Sequence, residues 1–221
     1  MLKTIFITLL SLLGLLTGGS DPSSAERKDK GRDHDNGTLE KMIVTDGSVA
    51  MELDLKQLTG FAKGARSSKL SFNAGNDAFF TVVVFNDELR GPLPSSMPLI
   101  PMETPGVAAK LNAAYKDLAV ESTEPGSEYE LIVRDTKTGF VFFNIEGSQF
   151  EYKAKERLLS ITGGRLLVTK EFAAELGRPR TAGSSVGTIS IEVTMRTIET
   201  AQVANGEVIS SQMPPMDWPQ A

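Results

Sequence analysis

A chain of 221 residues, 40% of them hydrophobic, is long enough for one domain with appendages and apolar enough to bury a core. A formal net charge of −5 and a pI near 5.1 exclude the basic footprint of a dedicated nucleic-acid binder. With no cysteine, disulfides, thiolate nucleophiles, zinc–thiolate sites and iron–sulfur ligation are excluded as well, so stability has to come from packing.

The first twenty residues, MLKTIFITLLSLLGLLTGGS, have the layout of a secretory signal peptide. Lys3 supplies a positive start, Thr4 to Leu16 an apolar run, and Thr17 to Ser20 small residues for cleavage after Gly19 or Ser20. The apolar run is about 13 residues, short of the roughly 20 that a membrane span needs. The expectation is a secreted or periplasmic protein, of bacterial source by its cysteine-free exported composition, with no stable span after cleavage. No cysteine is present to accept a lipid.

Residues 21–38 are polar and mixed in charge, which predicts a disordered linker. Asn36-Gly37-Thr38 is a glycosylation sequon of consequence only in a eukaryotic secretory pathway. Asp33-His34-Asp35-Asn36 places its glycine one position early for a calcium loop of the EF type.

From Leu39 the pattern becomes β, and a domain over 39–212 is expected. Two apolar runs flank Asp46-Gly47, a dipeptide that favours a tight hairpin. Ala78 to Phe85, AFFTVVVF, reads as a strand buried on both faces. Phe79, Phe80, Phe85, Phe142 and Phe143 read as core filling. Gly91 to Gly106 carries five prolines and is expected to be a long loop unable to join a sheet interior. Residues 105–119 place Val107, Leu111, Tyr115 and Leu118 on one face of a helix. EYELIVRD and GFVFFNIEG pair across Thr136-Lys137-Thr138. A helix is expected after Thr169 as N-cap, ending at Gly177. Asn205-Gly206 marks another hairpin, and 213–221 is a flexible proline-rich tail. Many short strands and few helices predict a mainly β protein: an antiparallel β-sandwich or jelly-roll-like domain with one or two short helices.

Gly163-Gly164 lacks the spacing of a phosphate loop, since no Gly-Lys follows, and it lacks the three glycines of a dinucleotide turn. It predicts a two-residue hairpin pairing Thr162 with Arg165, Ile161 with Leu166 and Ser160 with Leu167. Gly183 to Gly187, GSSVG, matches a nucleophile elbow at Ser185, but a strand follows it where a helix should. The single histidine, His34, lies in the linker, so Ser185 has no base.

Glu52 and Asp54 lie two apart on one strand face. MELDLKQ resembles the E-x-D-x-E strand of laminarinase-type glycosidases, which have a jelly-roll fold. That resemblance implies a nucleophile at Glu52 and an acid/base carboxylate further on. Lys56 or Gln57 stands at the latter position, so the pair required for retaining hydrolysis is incomplete. Sugar stacking lacks aromatic platforms, because the one tryptophan, Trp218, is in the tail. Met213 and Met216, with Met97 and Met102, are the hook for a copper-carrier reading.

The expectation is therefore an exported, non-catalytic module for binding, adhesion or envelope structure, with no cofactor, metal or catalytic residue assigned. Its partner would be an extracellular or envelope protein or glycan. An extracellular polysaccharide hydrolase is the alternative, and a methionine-based copper carrier the second. Long segments at Gly91–Gly106 and Arg178–Gly187 are the first places to look for a binding surface.

Overall fold

The computed structural model describes residues 36–60, 67–75, 79–102 and 114–213. The signal segment, all but the last three residues of the linker, His34 and nearly all of the tail lie outside these residues, as do positions 105–113 of the expected first helix.

Twelve strands and two short helices follow in order. They are β1 (Gly37–Asp54), α1 (Leu55–Thr59), β2 (Ser67–Ala74), β3 (Thr81–Phe85), β4 (Glu88–Leu93) and β5 (Ser95–Pro101). Next come β6 (Leu118–Ser122), β7 (Leu131–Asp135), β8 (Val141–Glu146), β9 (Gln149–Lys153) and β10 (Leu158–Val168). Last are α2 (Lys170–Glu175), β11 (Ser185–Ala204) and β12 (Glu207–Gln212). β1 begins two residues before the expected domain boundary, so Gly37 and Thr38 belong to the sheet.

All pairings are antiparallel, in the order β12-β11-β10-β8-β7-β6-β5-β2-β1-β3-β4, with β9 beside β10. β1 also pairs with β11, which joins eight strands into a closed ring. Among the described residues the fold is thus mainly β and sandwich-like, with two short helices. Alternation places Val49, Met51 and Leu53 of β1 and Ile189, Ile191 and Val193 of β11 inside the ring. Beyond the ring, Leu39–Ile43 of β1 carries β3, and Thr200–Ala204 of β11 carries β12. All five residues of β3 are buried: Val82 and Val84 join the main core, while Val83 and Phe85 pack with Leu39, Ala201 and Val203.

Several sequence expectations are corrected. Asp46-Gly47 is no hairpin. β1 runs straight through it, with a register shift between Val44 and Asp46. Gly47 has φ 146°, and a Cβ there would lie 2.3 Å from the Glu192 carbonyl oxygen. Gly163-Gly164 is likewise no turn, and its three expected pairings do not form. β10 pairs with β9 through Leu158–Thr162 and with β8 through Arg165–Val168. The glycines form the bulge between these halves: Gly163 has φ 72°, and Gly164 faces Ile189 and Ile145 with no room for a Cβ.

The proline-rich segment also joins the sheet. Gly91–Leu93 lies in β4 and Ser95–Pro101 forms β5, whose first half pairs with β6 and second half with β2. Pro98 sits at the switch and contributes only its carbonyl, which accepts a hydrogen bond from the Gly75 N–H at 2.8 Å. Phe79 is 71% exposed and not core, because it precedes β3 on the side opposite buried Phe80. The helix expected to reach Ala119 ends in a 3-10 turn, Tyr115–Asp117, and Leu118 already belongs to β6.

Other expectations hold. Asn205 and Gly206 both have positive φ and join β11 to β12. Thr136–Thr138 joins β7 to β8. The Thr169 hydroxyl caps α2 by accepting from the Phe172 N–H, and Gly177 closes the segment with φ 67°.

The β1–β11 seam is tight enough to test. A Cβ at Gly187 would lie 2.1 Å from the Glu52 carbonyl oxygen. Gly187→Ala is expected to lower the unfolding free energy by about 1–3 kcal/mol. Ser190→Ala, on the exposed face of the same strand, should change it by less than about 0.5 kcal/mol. Urea titrations of the two variants measure this, and equal midpoints would contradict the close approach.

Candidate functional site

The β7–β8 hairpin, the start of α2 and the loop before β11 enclose an open cleft of about 1120 Å³ on the outside of the ring. Each wall is held by a local device. In the hairpin turn, Asp135 accepts from the Lys137 N–H at 2.8 Å, the Thr138 N–H at 3.4 Å and the Thr138 hydroxyl at 2.6 Å. Gly139, with φ 73°, donates its N–H to the Asp135 carbonyl. The Lys137 ammonium pairs with Asp117 at 3.0 Å, and the Asp117 carbonyl accepts from the Thr136 N–H and hydroxyl.

The wall formed by α2 is fixed from inside. Thr169 donates its hydroxyl to the Val141 carbonyl at 2.7 Å. Phe172 packs edge-on against Phe140, Phe142 and Phe143. At the far end of α2, Arg178 donates to the Gln57 carbonyl, which ties the second helix to α1. Ala182 and Gly183, within the Arg178–Gly187 segment singled out from sequence, complete the rim.

The electrostatics of these walls are largely settled internally. Burial pushes the Asp135 carboxyl up, but the Thr138 hydroxyl, the N–H groups of Lys137 and Thr138 and the Lys137 charge outweigh it. The net effect holds Asp135 below the usual carboxylate value. Tyr129, on the opposite rim, is raised mainly by its hydrogen bond with Glu128, then by desolvation and the carboxylates of Glu128 and Glu146.

Asn144 occupies the floor. It is half-buried and lies in a cross-strand row with Ile132 of β7 and Leu167 of β10. Its amide makes no hydrogen bond among the described residues. Nothing in the sequence marks Asn144, because an isolated asparagine in a strand carries no signal until the sheet order places it.

The residues singled out from sequence do not assemble elsewhere. Ser185 opens β11 opposite Leu167, and no histidine is among the described residues. Glu52 is exposed opposite Lys69, while Asp54 accepts from the Gln57 N–H as the cap of α1. Met97 is fully buried and Met102 is 58% exposed, so the two lie on opposite sides of the sheet. Met213 is exposed, and Met216 lies outside the described residues. Among the described residues no group of three or more His, Asp or Glu is placed to hold a metal. No helix among them is long and apolar enough to cross a membrane. Comparison of the chain with protein-family models, curated proteins and solved structures returned no match.

The Asp135 turn yields a pH-dependent expectation. A depressed carboxyl contributes stability that is present above its unfolded pKa, near 3.9, and is lost as pH falls through the folded value. Asp135→Asn keeps an acceptor oxygen and removes the charge. It should cost about 1–2 kcal/mol at pH 7 and progressively less below about pH 4. Urea unfolding at pH 7 and pH 3 checks this, and a deficit that persists undiminished at pH 3 would contradict it.

Proposed function

We propose that this chain is an exported, non-catalytic β-domain that binds an extracellular or envelope partner through the cleft between the β7–β8 hairpin and α2. One observation carries the reading: the cleft is roomy, yet its most constrained polar groups are spent on holding its walls. Asp135 serves its own turn, Asp117 pairs with Lys137, and Thr169 caps α2. A general acid or nucleophile has to be free to exchange protons or attack, and these groups are not. What remains is shape, an apolar floor at Ile132, Val141 and Val168, and the exposed rim charges of Glu128, Lys170 and Glu171, the composition of a binding site.

The hydrolase alternative has less support. It needs two free carboxyls at a defined separation with one held protonated, and Asp135 is shifted the other way. The copper-carrier alternative needs converging thioethers, and Met97 and Met102 diverge.

Two measurements test the proposal. Fractionation of the native host, with intact mass of the recovered protein, is expected to give a chain beginning at Ser20 or Asp21 in the medium or periplasm. A cytoplasmic chain retaining Met1 would remove the export part of the reading. Reducing-end assays on soluble polysaccharides should give no turnover above the rate of an Asp117→Asn/Asp135→Asn double variant. Turnover lost in that variant would establish the hydrolase instead.

A further inference from the structure

We propose that Asn36 is a site of spontaneous covalent modification, in which the main-chain nitrogen of Gly37 displaces its side-chain amide and the product unfastens the start of β1. This chemistry is independent of the cleft. Three exposed asparagines meet at the end of the β1–β11 seam. Asn36 stands immediately before β1, Asn86 in the turn between β3 and β4, and Asn205 in the turn between β11 and β12. The Asn86 side chain straddles Gly37. Its Oδ1 accepts from the Thr38 N–H at 2.9 Å, and its Nδ2 donates to the Asn36 carbonyl at 3.1 Å. The Asn86 N–H also donates to the Thr38 carbonyl at 3.0 Å. The Asn36 Oδ1 in turn accepts from the Asn205 N–H at 2.8 Å.

This clamp demands a labile residue pair. A Cβ on Gly37 would lie 2.0 Å from Asn86 Oδ1, so any other residue there would push that side chain off both of its partners. Glycine is therefore required after an exposed asparagine, and glycine shields its own nitrogen least from the preceding side chain. The Gly37 nitrogen gives its proton to hydroxide and bonds to Asn36 Cγ. Negative charge develops on Oδ1, the atom that already accepts from the Asn205 N–H, and that donor stabilises it. The Cγ–Nδ2 bond then breaks, Nδ2 takes a proton from water, and ammonia leaves behind a cyclic imide. Water opens either carbonyl of the imide. One product is aspartate; the other is its isomer, in which the main chain runs through Cβ and Cγ. The isomer lengthens the chain by one carbon, about 1.5 Å, and takes the carbonyl that Asn86 holds out of the main chain. Asn86 cannot keep both of its side-chain bonds to such a chain. Asn205-Gly206 is the internal control. Among the described residues its side-chain amide receives no hydrogen bond, and Ala204 pairs with Glu207 across the turn.

The test holds the full chain in warm, mildly alkaline buffer, with trypsin digestion and mass spectrometry of peptides 33–41 and 197–221, each of which carries one asparagine. Loss of the amide in 33–41 is expected to run at least about fivefold faster than in 197–221. In concentrated urea, where the clamp is gone, the two rates should converge to within about twofold. Equal rates in the folded protein, or no conversion at Asn36, overturn the proposal. A lead for Asn36 that persists undiminished in urea assigns it to local sequence and overturns the part given to the Asn205 N–H. The isoaspartyl form, separated chromatographically, should unfold at lower urea than wild type. Asn36→Asp should keep the wild-type midpoint, because a carboxylate still accepts from the Asn205 N–H. An isoaspartyl form as stable as wild type overturns the unfastening of β1.

Discussion

The pairing of β1 with β11 is the constraint on which the rest of the structure depends. It joins the first strand to the penultimate one, from Gly37 opposite Val203 to Leu53 opposite Gly187. Without it the sheet would be open, with long unpaired edges on two of its most apolar strands. With it, eight strands close on themselves and only short edges remain. The seam requires close backbone approach, which is why glycine stands at 47 and at 187, where a Cβ would strike the facing carbonyl. The contacts are also far apart in sequence, so closure is expected to come late in folding, after the local hairpins have formed.

Ring closure fixes the cleft indirectly. β10 is gripped by β11 along most of its length and, past the Gly163-Gly164 bulge, by β8, with the Arg165–Glu146 ion pair across that junction. Phe143 and Val168 bring the end of β10 beside β8, and Thr169 then turns the chain into α2 while its hydroxyl holds the Val141 carbonyl. The cleft walls are therefore extensions of ring strands and inherit their rigidity. This is the arrangement in which binding groups can be held in place by a scaffold instead of by a mobile loop.

Legibility in the sequence divides along one physical line. Features decided by a few neighbouring residues were readable: the Thr169 cap, the Asn205-Gly206 hairpin, the strand buried on both faces, expected from Ala78 and observed at Thr81–Phe85, and the mainly antiparallel class. Features decided by which strand lies alongside were not. Asp46-Gly47 and Gly163-Gly164 satisfy the demand for positive or unusual φ made by a turn and by a bulge equally well. Only the pairing partners choose between them, and here β11 runs past both. The prolines of β5 misled for a related reason. A proline is excluded where its N–H is needed, and β5 changes neighbours at Pro98, where it is not. Phe79 and Asn144 were unreadable because the direction of a side chain follows from register, and one residue's shift reverses it.

Register also shapes the free edges of the sheet. Each of the free edges is blunted by a different means. β4 carries a bulge at Arg90, which lies over the Phe85 ring, and Pro92. β9 alternates Glu151 and Lys153 with its inward residues. β12 is bulged at Ile209, opposite the step from Gln202 to Val203. Addition of a foreign strand needs a regular row of free N–H and C=O groups, and none of these edges offers a long one. Addition of a foreign strand at these edges is thereby disfavoured.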